Sequence, residues 1–298
     1  MVSLHGGHSS DFCNHGHSSL VEMLEAAVAA GYSTFGVSEH VPRNGEKFLY
    51  EDEVARGWTV EKTQRDFARY TEAIQEMPGL FAGRLSVLRG FEAEVVPAAD
   101  WKRRMIEYRS AKSAAGEPAF DYFVGSVHYL NETAIDGSAG ELLHAVESCG
   151  GPEALAVRYY ETIVEMVEAL RPDVIGHLDL IKVRWERAEL DAEILTSGAV
   201  RSAPERALEA ARAIDAILDL NTAGWRKGLS EPYPAPWIVE MATRMGVGFC
   251  FGDDSHRVSD VGAGVADARE YLRRLGVETI TALGREDGGV VKRRIPLA

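Results

Sequence analysis

LHGGHSSDFCNHGH, residues 4–17, sets four of the chain's nine histidines, His5, His8, His15 and His17, directly after a short apolar start at Val2. An affinity tag would be an unbroken run, whereas here Gly, Ser, Asp and Cys separate the rings. Neutral imidazole is the commonest protein ligand for ions such as Zn, Fe and Mn, so the stretch reads as the metal-binding end of a first strand over 2–5. The cluster cannot complete a site alone, and the fold follows from where the other ligands lie.

Working outward, Ser18 or Ser19 caps a helix over 20–30, with Glu22 completing a capping box and Gly31 ending it. STFGVSEH (33–40) is a second strand with Glu39 and His40 at its carboxyl end. Residues 42–58 read as a loop and 59–77 as a helix. LSVLRGFEAEV (85–95) is a third strand ending near Glu92 and Glu94, followed by a charged helix over 99–113. FDYFVGSVHYL (120–130) is the fourth strand, ending at His128; the polar, Gly-rich 131–152 read as a loop. Apolar spacing makes 153–171 an amphipathic helix. DVIGHLDL (173–180) is the fifth strand, with His177, and Pro204 opens the next helix. ILDLNTAG (217–224) is the sixth strand, reaching Asn221, with a helix over 234–245 after it. VGFCFGDDSH (247–256) is the seventh, ending at Asp254 and His256; a helix over 265–276 and strand-like pieces at 277–284 and 288–297 close the chain.

Strand then helix, about seven times over and with no Pro/Ser-rich linker, implies a parallel sheet in one domain over 1–298. The sheet is either doubly wound or closed. Nearly every strand ends in a metal-type or polar residue. In a βα barrel these ends meet on one face, whereas an open sheet would spread them along an edge. Convergence favours the barrel. Singly, His40, His128 and His177 are what a buried core histidine would look like; their shared position at strand ends makes them a set. Glu92 and Asp254 add hard oxygens able to bridge cations, and His256 lies two residues after Asp254. His144 belongs to a helix surface, and Cys13 reads as a small buried thiol.

Composition narrows the class further. With 46% hydrophobic residues the chain can bury a large core. No apolar run is long enough to span a membrane, and no signal peptide is evident. Three scattered cysteines, Cys13, Cys149 and Cys250, suggest a cytoplasmic protein without disulfides. A net charge of −14 disfavours nucleic acid as a partner. P-loop, GxGxxG and GxSxG patterns are absent.

Taken together, His15, SEH (38–40), GFEAE (90–94), VGSVH (124–128), IGHLD (175–179), NTAG (221–224) and GDDSH (252–256) resemble the polymerase-and-histidinol-phosphatase (PHP) superfamily of metal-dependent phosphoesterases. FDYFVGSVHYL, GHLDLIK, DLNTAGWRK and YPAP (233–236) look more specifically like its monofunctional histidinol-phosphate phosphatases. The resemblance implies a distorted (β/α)7 barrel with two or three divalent ions, Zn, Fe or Mn. It assigns His5, His8, Glu92 and Asp254 to one site, Glu92 again with His128 and His177 to a second, and His15, His40 and His256 to a third. Its members usually open with His-x-His, whereas this chain has HGGH. A regular strand would point His5 and His8 to opposite faces. Gly6 and Gly7 can permit a bulge that turns both inward; without one, His5 is the ring lost.

The expected reaction is hydrolysis of L-histidinol phosphate by a hydroxide generated between metal ions. Asp254 or His256 would handle the leaving-group proton. Arg226 is the preferred phosphate clamp, with Lys182 and Arg257 as alternatives. The acids at 51–53 could greet a cationic amino alcohol. Another PHP substrate, such as a nucleotide phosphodiester or phosphotyrosine, is the alternative, and a non-catalytic metal-binding barrel is the third reading. A homo-oligomer is compatible with all three.

Overall fold

The computed structural model describes residues 1–286 and 289–297, so Gly288 of the expected tail segment lies outside the described residues. Seven strands form one parallel sheet in the order β1-β2-β3-β4-β7-β8-β9. They are β1 Val2–Ser3, β2 Thr34–His40, β3 Ser86–Ala93, β4 Val124–Gly125, β7 Val174–Ile175, β8 Ile217–Asn221 and β9 Gly248–Gly252. Two further pairs, β5 Tyr129–Leu130 with β6 Thr133–Ala134 and β10 Thr279–Glu286 with β11 Gly289–Pro296, are antiparallel hairpins. The first strand meets the last where the Leu4 N–H donates to the Phe251 carbonyl and the Asp254 N–H to the His5 carbonyl, both at 2.9 Å. The sheet is thus a nearly closed (β/α)7 barrel, as expected.

Helices pack around it because their apolar stripes need a face to cover. In Pro152–Leu170, Leu155, Tyr159, Ile163, Met166 and Leu170 are all buried. Inside, at the amino ends of the strands, Val2, Leu88, Val124, Val174 and Ile217 form a separate apolar cluster that Ala282 and Leu283 of the terminal hairpin close from below. The polar strand ends lie at the opposite mouth.

Several boundaries differ from the sequence reading. β1 stops at Ser3, and β4 and β7 hold only two residues each. The chain leaves the ladder early so that ligand-bearing residues can turn inward. His177 and Asp254 sit at φ 25° and 47°, a left-handed backbone outside any strand. The loop expected over 42–58 contains a short helix Glu51–Ala55, and 131–152 contains the helix Ala139–Cys149, capped by Ser138 and Glu141 in a capping box. Pro204 lies inside the helix Gly198–Ala213 rather than at its start.

One large ring organises the interior. Tyr122 is buried, and its hydroxyl donates to the Leu4 carbonyl at 2.9 Å. Its ring fills the space left by two glycines: a Cβ on Gly36 would lie 2.2 Å from its hydroxyl oxygen, and one on Gly90 2.5 Å from Cε1. Gly90→Ala should therefore overpack the barrel and cost about 1–3 kcal/mol. Urea unfolding should show a lower midpoint at unchanged slope. A wild-type midpoint would mean that the ring can give way.

Candidate active site

HGGH is resolved by its glycines. Gly6 and Gly7 adopt φ 154° and 76°, and a Cβ on Gly6 would sit 2.3 Å from Asp253 Oδ1. This bend is pinned on both sides: the Gly6 N–H donates to Ser38 Oγ and the Gly7 N–H to Ser255 Oγ, both at 3.0 Å. Both His5 and His8 turn inward and are fully buried. The ring expected to be at risk, His5, is therefore in the site.

Glu92 is the centre of the constellation. Pairing of β2 with β3 sets His40 beside Glu92 in register, and His40 Nδ1 lies 2.9 Å from Glu92 Oε2. The Nε2 atoms of His5, His177 and His128 lie 3.3, 3.3 and 3.6 Å from Glu92 Oε1. That of His8 lies 3.8 Å from Glu92 Oε2 and 3.4 Å from Asp254 Oδ1.

The outer nitrogens show what these contacts are. His5 Nδ1 is 2.6 Å from Asp219 Oδ2, and His128 Nδ1 is 2.6 Å from Glu94 Oε2. A carboxylate can only accept, so each Nδ1 carries the proton and each Nε2 presents a lone pair to Glu92. His256 is oriented likewise, its Nδ1 donating to the Asp254 carbonyl at 2.9 Å. Lone pairs facing carboxylate oxygens at 3–4 Å repel unless a cation joins them. His5 Nε2, both nitrogens of His8, His40 Nε2 and both oxygens of Glu92 are buried without a hydrogen-bond partner. Buried polar atoms are rarely left unpaired. The donor set, imidazole nitrogens with two shared carboxylates, fits divalent transition ions.

Among the described residues, five overlapping triads bring their donor atoms within 4.8 Å of one another. They are His5/His8/Glu92, His5/His177/Asp254, Glu92/His128/His177, His8/His40/His256 and Cys13/His15/His40. His15 also lies 4.9 Å, ring to ring, from both His40 and His256. Nine expected ligands thus converge, and the last triad adds Cys13, which the sequence reads as a small buried thiol in preference to a zinc ligand.

Electrostatics agree. Burial opposes charge on Glu92, yet the neighbouring rings of His5 and His40 hold its carboxyl well below the ordinary range. Burial likewise opposes a charged His8, but the carboxylates of Asp254 and Glu39 beside it carry it up to about 9. Burial and neighbouring imidazoles push His15 and His256 well down, and His40 is lowered by burial and His8. The inner groups attract positive charge, and the outer rings stay neutral as lone-pair donors.

Above the cluster opens a cavity of about 600 Å³. His15, His40, His128, Asp254 and His256 form its floor; Arg226, Lys227 and Arg257 bring positive charge, and Asp52 and Asp136 negative. Of the expected phosphate-binding cations, Lys182 requires correction. Its ammonium is held by Asp179 and Glu231, each at 2.8 Å, and by the Pro232 carbonyl at 2.9 Å, and it is not part of the cavity wall. Three acceptors use its three N–H groups. Arg226 does line the cavity, but its guanidinium donates to the carbonyls of Asp253 and Asp254 and to Thr222 Oγ1. Arg257, 53% exposed and with Asp260 at 3.7 Å as its one ion-pair neighbour among the described residues, is the more available cation. Lys227, 4.0 Å from Asp254 Oδ2, was missed, as were Asp219 and Glu94. Being apolar-flanked acids inside strand runs, the last two gave only the signal of a charge where a core residue belongs.

The model of the PHP domain family matches residues 5–223. A curated relative from Deinococcus radiodurans, "Probable histidinol-phosphatase", is 31% identical over 90% of this chain and 92% of its own. The crystal structure of hisK from Listeria monocytogenes superposes with a TM-score of 0.77 at 26% identity, over 90% of this chain and 99% of that one. Histidinol phosphate phosphatase from Lactococcus lactis, solved with Zn, L-histidinol and phosphate, shares the fold at a TM-score of 0.66 and 15% identity, over 97% of this chain and 98% of that one.

If Glu92 is shared between ions, Glu92→Ala should lose more than one ion per chain by elemental analysis. A variant that stays fully loaded would remove the bridging role.

Proposed function

Since the chain belongs to the PHP domain family, we propose that it is a metal-dependent phosphomonoesterase that hydrolyses L-histidinol phosphate to L-histidinol and phosphate. The observation that carries this reading is the ring of imidazoles around Glu92 at the base of a cavity lined by Arg226, Lys227 and Arg257 as well as by carboxylates. Relatives named as histidinol phosphatases support the substrate.

Two or three ions, zinc, iron or manganese, would be held by His5, His8, Glu92 and Asp254, by Glu92, His128 and His177, and by His15, His40 and His256. When bound, such ions supply positive charge to the phosphate oxygens and lower the pKa of water at the reacting phosphorus. Asp219 and Glu94 fix the tautomers of His5 and His128, so their Nε2 atoms are ready without rearrangement. Arg257 and Lys227 take non-bridging phosphate oxygens. Arg226 holds the turn that presents Asp254. As water adds its oxygen to phosphorus and the ester P–O bond breaks, the proton that this water loses passes to the departing histidinol oxygen; Asp254 and His256, in the cavity wall, are the groups placed to relay it. The three free cysteines, two of them buried, suit a reducing cytoplasm.

The test compares histidinol phosphate with a nucleoside monophosphate, a short phosphodiester and a phosphotyrosine peptide. Histidinol phosphate should have the highest kcat/KM, and equal or better turnover of any rival defeats the assignment. Arg257→Ala should lose a charge-assisted hydrogen bond, about 1.5–3 kcal/mol or roughly ten- to a hundredfold in kcat/KM, at unchanged metal content. Arg226→Ala should lose metal as well as activity, because its guanidinium supports the Asp254 backbone. Full metal occupancy in that variant would return Arg226 to the role of phosphate clamp.

A further inference from the structure

The cavity is lined by charges of both signs. Arg226, Lys227 and Arg257 follow β8 and β9, whereas Asp52 and Asp136 come from the segments after β2 and β6. Asp52 is engaged, accepting from Asn14 Nδ2 at 2.5 Å. Asp136 differs. Its main-chain carbonyl accepts from Arg184 Nε at 2.8 Å, but its side-chain Oδ1 is buried with no hydrogen-bond partner among the described residues. A buried carboxylate oxygen without a donor is costly to keep, and a cationic ligand group would offset that cost. Asp136 lines the cavity together with His128 and Tyr50. His128 itself faces Glu92 at 3.6 Å. The unpaired acid therefore lines the same cavity as the candidate ligand His128, on the segment after β6 rather than those after β8 and β9.

The geometry points to Asp136 as a specificity-determining residue whose carboxylate takes the ammonium of a 1,2-amino-alcohol phosphate. This rests on the phosphomonoesterase reading above. In such an ester the ammonium sits on the carbon next to the ester-bearing one. With phosphate on the cations and the cluster, the positive group must fall a short way off, where only a carboxylate can pair with it. A phosphate ester without the amine would leave Asp136 unpaired, and binding it would forgo that compensation.

The experiment uses two esters, histidinol phosphate and its deamino analogue, imidazolylpropyl phosphate, on wild type, Asp136→Asn and Asp136→Glu, each assayed for metal content. Wild type should prefer the amine-bearing ester. Asp136→Asn should lose about 30-fold or more in kcat/KM on histidinol phosphate, the scale of a broken buried charge pair, with less than about threefold change on the deamino ester. Asp136→Glu should recover part of the preference. Equal loss on both esters, or no loss on either, overturns the inference. Should Asp136→Asn not fold, wild type alone decides, because absence of any preference for the amine-bearing ester also overturns it. A wild type that hydrolyses neither ester removes the histidinol phosphate reading and this inference with it. A clear preference that Asp136→Asn leaves intact removes only the inference.

Discussion

The interaction on which the structure turns is the meeting of the Glu92 carboxylate with imidazole lone pairs arriving from several strands. Nitrogen and oxygen both present electron pairs at 3.3–3.8 Å, in a pocket where Glu92 is 2% exposed and His5 and His8 are wholly buried. Hydrogen bonds cannot resolve all these contacts, since Asp219 and Glu94 already fix the protons of His5 and His128 on the far side of their rings. Positive charge between the rings and the carboxylate resolves them. The protein keeps an arrangement that would otherwise be expensive, and places it at the mouth of a barrel whose floor is sealed by apolar packing.

The barrel makes this possible by dividing its labour between ends. At the amino ends of the strands, Val2, Val124, Val174 and Ile217 pack with the terminal hairpin, and Tyr122 wedges between Gly36 and Gly90. At the carboxyl ends the ladder is abandoned early. β4 and β7 are two residues long, and the backbone at His177 and Asp254 takes left-handed angles that an uninterrupted strand would forbid. Local conformational cost at the ligands is balanced by regular packing below them. The cavity above them is lined by the cations that follow β8 and β9 and by Asp136 after β6.

Much of this was legible in the sequence. Strand–helix alternation and polar strand ends suffice for the barrel and for the meeting of the candidate ligands from His40 to His256, because strand register brings carboxyl ends together whatever the loops do. HGGH was ambiguous because spacing describes a regular strand, and the bend at Gly6 and Gly7 depends on Ser38 and Ser255, which are remote in the chain. The partners of cations were not legible at all. Lys182 follows a ligand strand just as Arg257 does, but only the folded chain shows Lys182 saturated by Asp179, Glu231 and Pro232. Asp219 and Glu94 were passed over for a related reason. Their task is to orient another side chain, and the histidine that needs orienting lies far off in sequence.

The most direct test of this account is anomalous diffraction from crystals of the metal-loaded protein. Ions should appear on both sides of Glu92, about 3.5–4 Å apart as in bridged two-metal sites, bound through Nε2 of His5, His128 and His177 while Asp219 and Glu94 keep their bonds to Nδ1 of His5 and His128. Peaks elsewhere, or an ion-free Glu92 still facing unprotonated Nε2 atoms at 3.3 Å, would contradict it.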